Sequence, residues 1–411
     1  MRWLYNLGIF GYYLLVRIVS LRNGKARKWL EGRKDIFIRL RETIQPGEPI
    51  LWFHASSLGE FEQGRPVIEA IRARWPEYKI LLTFFSPSGY ELRKSYPYAD
   101  YIFYLPLDTK KNATRFIEIV RPTKVFFIKY EFWYHFLTQL KEEGIPTYIF
   151  SALFRPSQIF FKPWGKWYLK AIRTYEHIFV QNQESFDILH RYGFKNVSLS
   201  GDTRLDRVGQ IADASPKLEK LEIFGGGQKI IIAGSTWKED EDLFIPYVNK
   251  SPSGLKFVIA PHEVTPQSLE RITNALEKPY TFYSTSSTQD LLDSDVLIVD
   301  GYGYLNSIYR YGILAYIGGG FTSGIHSILE PAVFGLPVIF GPDYHKFQEA
   351  YDMLSLGAAC AISDSGELED QIESLRMNPE MLNIASNLAR GYVDKNRGAS
   401  REIVNYLFTQ K

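Results

Sequence analysis

The stretch Pro49-Ile50-Leu51-Trp52-Phe53-His54-Ala55-Ser56-Ser57-Leu58-Gly59-Glu60 passes from an unbroken apolar run into a capped helix start. Pro49 to Phe53 has no polar alternation, so it reads as a strand buried on both faces. Ser56 and Ser57 are helix-capping residues, and Glu60 falls in the first turn of the helix that follows. A buried strand that turns through small polar residues into a helix is the opening unit of a wound α/β sheet.

The same unit recurs on the C-terminal side. Lys79 to Phe84, Tyr101 to Leu105, Lys124 to Ile128, Thr147 to Phe150, His177 to Val180 and Val197 to Leu199 are further apolar runs. Helical patterns such as Glu60 to Arg74 and Phe132 to Glu143 lie between them. A second series follows at Lys229 to Ala233, Leu255 to Ile259, Asp295 to Val299, Ile313 to Ile317, Pro337 to Phe340 and Ala358 to Ile362. Alternating β and α with continuous apolar strands implies parallel sheets covered on both faces. The turn-rich stretch 210–227 separates the two series. Two such arrays suggest two Rossmann-like domains facing a central cleft, the GT-B arrangement, with ligands at the carboxyl ends of the strands. The pattern alone also fits other two-domain α/β enzymes. The expected domains are 25–208 and 209–411.

The N-terminal side differs. Trp3 to Val16 is almost wholly apolar and rich in aromatic rings. Residues 1–42 hold ten Lys or Arg against three acids, while the whole chain of 411 residues carries a net charge of only +2. That balance gives no argument for a nucleic-acid partner. An aromatic apolar run followed by Arg17, Arg22, Lys25, Arg27 and Lys28 reads as a membrane-attached helix over 1–24. Its charge bias puts the bulk of the chain on the cytoplasmic face of an inner membrane. The run is short for a span of roughly 20 residues, so spanning and interfacial modes both stay open. A cleaved signal peptide is disfavoured by the lack of a small-x-small site. The single cysteine, Cys360, excludes an intrachain disulfide.

Several loops after strands hold chemistry-bearing residues. Glu60 reads either as part of a capping box or as a general base at the mouth of a cleft. Ser235 and Thr236 follow the first strand of the second series and suit a phosphate cradle. Ala260-Pro261-His262-Glu263 and Gly301-Tyr302-Gly303-Tyr304-Leu305 are either nucleotide contacts or plain turns. Gly318-Gly319-Gly320-Phe321-Thr322-Ser323-Gly324-Ile325-His326-Ser327-Ile328-Leu329-Glu330-Pro331 is the strongest run. There a glycine loop faces phosphate and Glu330 suits ribose hydroxyls, a pattern of nucleotide-sugar transferases. The dinucleotide fingerprint is absent. Asp293-Ser294-Asp295 has the metal–diphosphate spacing of GT-A transferases, but it precedes a strand. No metal and no cofactor are expected. Lys162, Lys166, Lys170 and Arg173 alternate with Trp164, Trp167 and Tyr168, either as a solvated face or as a second membrane contact.

Taken together, these blocks resemble the bacterial 3-deoxy-D-manno-octulosonic acid (Kdo) transferases of lipid A, a metal-independent inverting GT-B family. His54 to Glu60 matches H-A-x-S-x-G-E, and Phe84 to Gly89 resembles the family's acceptor-side turn. Glu131-Phe132-Trp133 matches E-L-W, and Gly201 to Asp206 resembles G-N-x-K-x-D. Gly341 to Glu349 matches a further block. The resemblance implies that Glu60 is the catalytic base and that Glu131 and Arg204 support the transition state. It implies CMP contacts at Pro261, His262, Gly303, Tyr304, Leu305, Ser327, Ile328, Leu329 and Glu330. The implied donor is CMP-Kdo and the implied acceptor is an acylated lipid A precursor at the membrane lipid surface. The chain departs from the family where Pro-Arg becomes Pro261-His262, where G-E-L becomes Gly303-Tyr304-Leu305, and where G-G-H-N becomes Gly324-Ile325-His326-Ser327. The rival readings are another GT-B enzyme of lipid-disaccharide synthase or UDP-sugar epimerase type, and a non-catalytic membrane-bound nucleotide-sugar sensor.

Overall fold

The computed structural model describes residues 2–409. The chain divides into two compact units. The first comprises the residues up to Arg207 and those from Arg397 onward, and the second runs over Val208–Asn396. The division falls inside the helix Thr203–Ala214, not in the turn-rich stretch beyond it.

The first unit holds a parallel sheet of seven strands. They are β1 (Ile50–Ala55), β2 (Lys79–Phe84), β3 (Tyr101–Tyr104), β4 (Lys124–Ile128), β5 (Thr147–Ala152), β6 (His177–Val180) and β7 (Val197–Leu199), in the order β3-β2-β1-β4-β5-β6-β7. Every residue of β1 is buried, as its apolar run requires. Helices cover both faces and fill two apolar layers, one around Trp52, Phe116 and Phe136, the other around Phe53, Phe61 and Phe126. The order in which strands are added reverses between β1 and β4, so the loops at their carboxyl ends part and open a crevice.

The second unit repeats the plan with β8 (Lys229–Thr236), β9 (Leu255–Pro261), β10 (Tyr280–Phe282), β11 (Val296–Ile298), β12 (Leu314–Ile317), β13 (Val338–Phe340) and β14 (Ala359–Ala361). The order is β10-β11-β9-β8-β12-β13-β14, again all parallel. Here the crevice lies between β8 and β12. The short edge strand β10 escaped the sequence reading because Lys278-Pro279-Tyr280-Thr281-Phe282 has too few apolar residues to stand out.

One expectation needs correcting. The second domain does not run to residue 411: the helix Ala399–Thr409 belongs to the first unit, where Ile403, Val404 and Leu407 join the Phe61 layer. Phe408 stacks on Trp75 at 3.8 Å, and the amides of Gly398 and Ser400 donate to Asp206. Periodicity predicts an amphipathic helix here but not which sheet receives it. The N-terminal helix spans Arg2–Val19, and among the described residues no helix is long and apolar enough to cross a membrane. Arg17 and the polar breaks at Ser20 and Asn23 cut the run short.

The 162–173 stretch is a 3₁₀ turn, Pro163–Tyr168, followed by the short helix Leu169–Ile172. Tyr168 is buried against Tyr5 of the N-terminal helix, while Trp164 stays exposed. Asp293 and Asp295 are spoken for locally: Gln289 donates to Asp293, and Lys256 lies 4.0 Å from Asp295.

Candidate active site

In the first unit the helix Leu58–Arg74 starts at Ser57. Ser57 forms no side-chain cap to the backbone. Its hydroxyl instead donates to Glu60 Oε2 at 2.7 Å. The full capping box is thus not formed, and Glu60 is left half-buried with its other oxygen not engaged by that hydroxyl. Burial raises the Glu60 carboxyl above the ordinary glutamate range, and the neighbouring Glu131 charge adds to the rise.

Glu131 comes from the turn after β4. Lys129 there adopts a left-handed backbone with φ 73°, and its amide bonds Phe150 O. Such a conformation in a non-glycine residue costs of order 1 kcal/mol and is held by its surroundings. It swings Glu131 back under β1. The Ser56 amide donates to Glu131 Oε1 at 3.0 Å, and the Trp133 indole donates to Oε2. Tyr175 donates to the Glu131 carbonyl. His54 is wholly buried beside it, with Nε2 at 3.3 Å from Glu131 Oε2. His54 Nδ1 faces the Thr83 carbonyl at 3.0 Å and the Thr83 hydroxyl at 2.9 Å. That hydroxyl also accepts from the Trp52 indole. Glu131, at 1 % exposure, therefore holds the loop that presents Glu60. The loop after β2 joins them, because the Ser86 amide donates to Ser56 O at 2.7 Å.

Arg204 starts the helix Thr203–Ala214, and its guanidinium is clamped on Asp202, with Nε at 2.8 Å. Thr203 beneath it is buried and donates to Gln63 O on the Glu60 helix. Tyr130 lies in the field of Glu60, Arg204 and Arg155, and burial raises its phenol. The structure thus groups Glu60 and Arg204 around Tyr130. Tyr130 and Arg155 were not singled out from the sequence. Their only signal was position just beyond the ends of β4 and β5.

In the second unit the candidate residues line the β8–β12 crevice. β8 carries a register shift between Gly234 and Thr236, and Ser235 there has φ 54°. Gly318 sits so close that an added Cβ would collide with Ser235 O and lie 2.7 Å from Thr236 Cα. Gly320 would meet Gly341 Cα at 2.6 Å. The glycine run is therefore required by backbone packing. Asp240, absent from the sequence reading, pins the loop. It is buried and accepts from the Gly319 amide at 2.9 Å, the Trp237 amide at 2.9 Å and Tyr316 at 2.7 Å. Burial raises its carboxyl despite these donors.

Thr236 turns its hydroxyl to the buried Glu241, at 3.1 Å, which is also held by Arg271. Of the proposed cradle pair, only Ser235 keeps a side chain without such a lock. Pro261 is buried at the end of β9, and His262 is exposed beyond it. Its ring packs against both Trp237, at 4.7 Å, and His326, at 4.3 Å. The Trp237 indole donates to His326 Nε2 at 3.0 Å, so that nitrogen carries no proton. Burial and the His262 charge push His326 down to about 4. Gly303, with φ 89°, and Tyr304 are exposed, and Leu305 opens a short helix. Tyr302 accepts from the Val264 amide at 3.0 Å, which ties this loop to that of His262. Ser327 is exposed and Glu330 half-buried, whereas Ile328 and Leu329 point into the core and offer a ligand only their backbone.

Comparison with known proteins bears on the family and the fold. The sequence profile of the 3-deoxy-D-manno-octulosonic-acid transferase (kdotransferase) family matches residues 31–207. The chain is 27% identical over 342 residues to the 3-deoxy-D-manno-octulosonic acid transferase of Aquifex aeolicus (strain VF5), covering 82% of this chain and 88% of the relative. It is 25% identical to the enzyme of the same description from Chlamydophila psittaci (strain ATCC VR-125 / 6BC), covering 90% and 88%. Among solved structures, a UDP-GlcNAc 2-epimerase from Neisseria meningitidis superposes with a TM-score of 0.63 at 17% identity, covering 88% of this chain and 100% of the other. That likeness speaks for the GT-B-like fold alone.

Proposed function

We propose that the chain is a member of the 3-deoxy-D-manno-octulosonic acid transferase family and that it moves Kdo from CMP-Kdo to a sugar hydroxyl of the acylated lipid A precursor. The observation that carries the catalytic assignment is Glu60: a half-buried carboxylate with a raised proton affinity at a strand–helix turn, on a loop held by a second, fully buried carboxylate. A carboxyl whose affinity for a proton is raised is suited to removing one from an alcohol.

In this reading Glu60 takes the acceptor proton, and the alkoxide oxygen attacks the anomeric carbon from the face opposite CMP. The bond to CMP breaks with inversion. Glu131 is a positioning residue rather than a transition-state contact, since its carboxylate is occupied by Ser56 and Trp133. Arg204, oriented by Asp202, supplies positive charge beside Glu60. In the second unit the Ser235 turn and the Gly318–Gly320 amides receive the phosphate. The His262 loop, Gly303, Tyr304 and Leu305, Ser327 and Glu330 hold the nucleoside, with Ile328 and Leu329 contributing backbone only. No cofactor enters the scheme. The N-terminal helix lies in the lipid interface at the cytoplasmic face of the inner membrane, with its exposed Trp3, Leu7, Phe10, Leu14 and Ile18 toward the acyl layer.

The test compares wild type with Glu60→Gln, using CMP-Kdo and a tetra-acylated lipid A precursor in detergent, with product resolved by mass. Transfer by wild type and loss of about 10²–10⁴-fold in a mutant that still binds CMP is expected. An intact wild type that transfers nothing refutes the activity; a fully active mutant refutes Glu60 as the base.

A further inference from the structure

Beneath the C-terminal half of the first helix lies a cavity of about 710 Å³. It is far from empty of charge. Arg17, Arg33, Lys34 and Arg115 line it, against Glu31 and Asp35. Among the described residues none of these four cations forms an ion pair with a carboxylate. Arg33 is the most constrained. Its three nitrogens donate to the carbonyls of Leu105 at 2.8 Å, Trp29 at 3.0 Å and Phe85 at 2.7 Å. Its guanidinium lies 3.9 Å from the Trp29 ring and 4.9 Å from the rings of Phe85 and Tyr104. A guanidinium fixed by carbonyls and rings, with no anion, is a cation prepared in advance. Its burial pushes the group down to about 9, the cost of that missing anion. Arg115 is held in turn over the Phe37 ring at 4.4 Å.

The surroundings say what kind of anion fits. The inner face of the first helix, at Tyr5, Ile9, Tyr13 and Val16, is half-buried on the protein. Its outer residues Trp3, Leu7, Phe10, Leu14 and Ile18 are apolar and exposed. Tyr13 and Arg17 of the same helix line the cavity. A site with cations within and acyl-compatible surface beside it matches a molecule with an anionic head and hydrocarbon tails.

We infer that this cavity binds the phosphomonoester headgroup of a membrane lipid. The inference rests on the membrane-attachment part of the proposed function, not on the transfer chemistry. A terminal phosphate offers several oxygens and up to two negative charges to the converging guanidinium and ammonium groups, whereas a diester offers one.

The test is vesicle co-sedimentation of the full chain, without donor. Phosphatidylcholine vesicles carry either phosphatidic acid, a monoester, or phosphatidylglycerol, a diester, matched for surface charge. Wild type is expected to prefer the monoester by about tenfold, the effect of one further charge-assisted hydrogen bond. Arg17→Gln with Arg115→Gln should erase that preference. Arg22→Gln with Lys25→Gln removes the same charge outside the cavity and should weaken both bindings alike. Lys34→Gln, at an exposed position, repeats the test should the double variant fold poorly. Equal binding to both vesicle types, or equal effects of the two double variants, overturns the pocket while leaving membrane attachment intact. A wild type that ignores every vesicle overturns both, but leaves the transfer assay unaffected. Inorganic phosphate that binds as tightly in the absence of vesicles overturns the lipid source.

Discussion

The amide of Ser56 donates to Glu131 Oε1 at 3.0 Å, so the loop presenting Glu60 hangs from a carboxylate that arrives from another strand. This link makes Glu131 and Glu60 electrostatic neighbours as well as structural ones, since the Glu131 charge helps raise the Glu60 carboxyl.

Activity should therefore show an acidic limb set by Glu60. A base must be ionised, so kcat rises with pH through a point above the ordinary glutamate value. Glu131→Gln removes the nearby negative charge and should move that limb to lower pH. It also lowers kcat and costs about 1–3 kcal/mol in stability, because Gln must turn an amide group toward a donor it cannot accept. A pH–kcat profile of the variant checks the shift. An unmoved limb would mean that Glu60 does not set it.

Asp108 predicts a different pH effect. It is fully buried and accepts from Tyr5 and from the amides of His135 at 3.0 Å and Phe136 at 2.9 Å. Burial nevertheless raises its carboxyl from 3.8 to about 6. The folded state then binds the proton more tightly than the unfolded one. The stabilisation is complete below about pH 4 and disappears as pH rises through about 6, by at most about 3 kcal/mol. Asp108→Asn should flatten this part of the stability–pH curve, measured as the urea midpoint between pH 4 and 7.

Gly318→Ala should damage the second unit. Its Cβ would lie 2.7 Å from Thr236 Cα and collide with Ser235 O, so backbone has to move. CMP binding, measured by calorimetry, should fall together with thermal stability. Gly391→Ala is the contrasting change. It lies on the exposed side of the helix Pro379–Asn396 with nothing near its Cβ, and should raise stability by about 0.5–1 kcal/mol.

Leu407→Ala tests where the C-terminal helix belongs. Leu407 is buried in the Phe61 layer of the first unit, and the loss should be about 2–5 kcal/mol. Hydrogen exchange should report it on β1 and β2. A loss confined to amides of the second unit would contradict the packing.

Local sequence was enough to place most of the strands and the turns beyond them. The run Ile50–Phe53 is continuous and apolar because both faces of β1 are covered, and such burial leaves its mark residue by residue. Glu60 and Gly318 were legible for the same local reason: each lies in the turn that follows a strand. Glu330 was read from the glycine-rich run before it, and Arg204 only from the family resemblance of Gly201 to Asp206. What a strand's neighbours are, by contrast, is written nowhere in the strand. Asp240 reads as one acid in the run Lys-Glu-Asp-Glu-Asp, yet it is the buried acceptor that fixes the glycine loop. Asp108 and His54 look like surface residues and are wholly enclosed. Arg33 is one cation of ten near the N-terminus, and only the rings of Trp29, Phe85 and Tyr104 single it out. The helix Ala399–Thr409 advertises an apolar face but not its destination. The α/β alternation, the two arrays and the loops that carry chemistry are readable along the chain, because these depend on short-range periodicity and turn stereochemistry. Which carboxylates are buried, which hydroxyls are already engaged and which helix covers which sheet emerge with the packed fold, because desolvation and hydrogen-bond partnership depend on residues far apart in the chain.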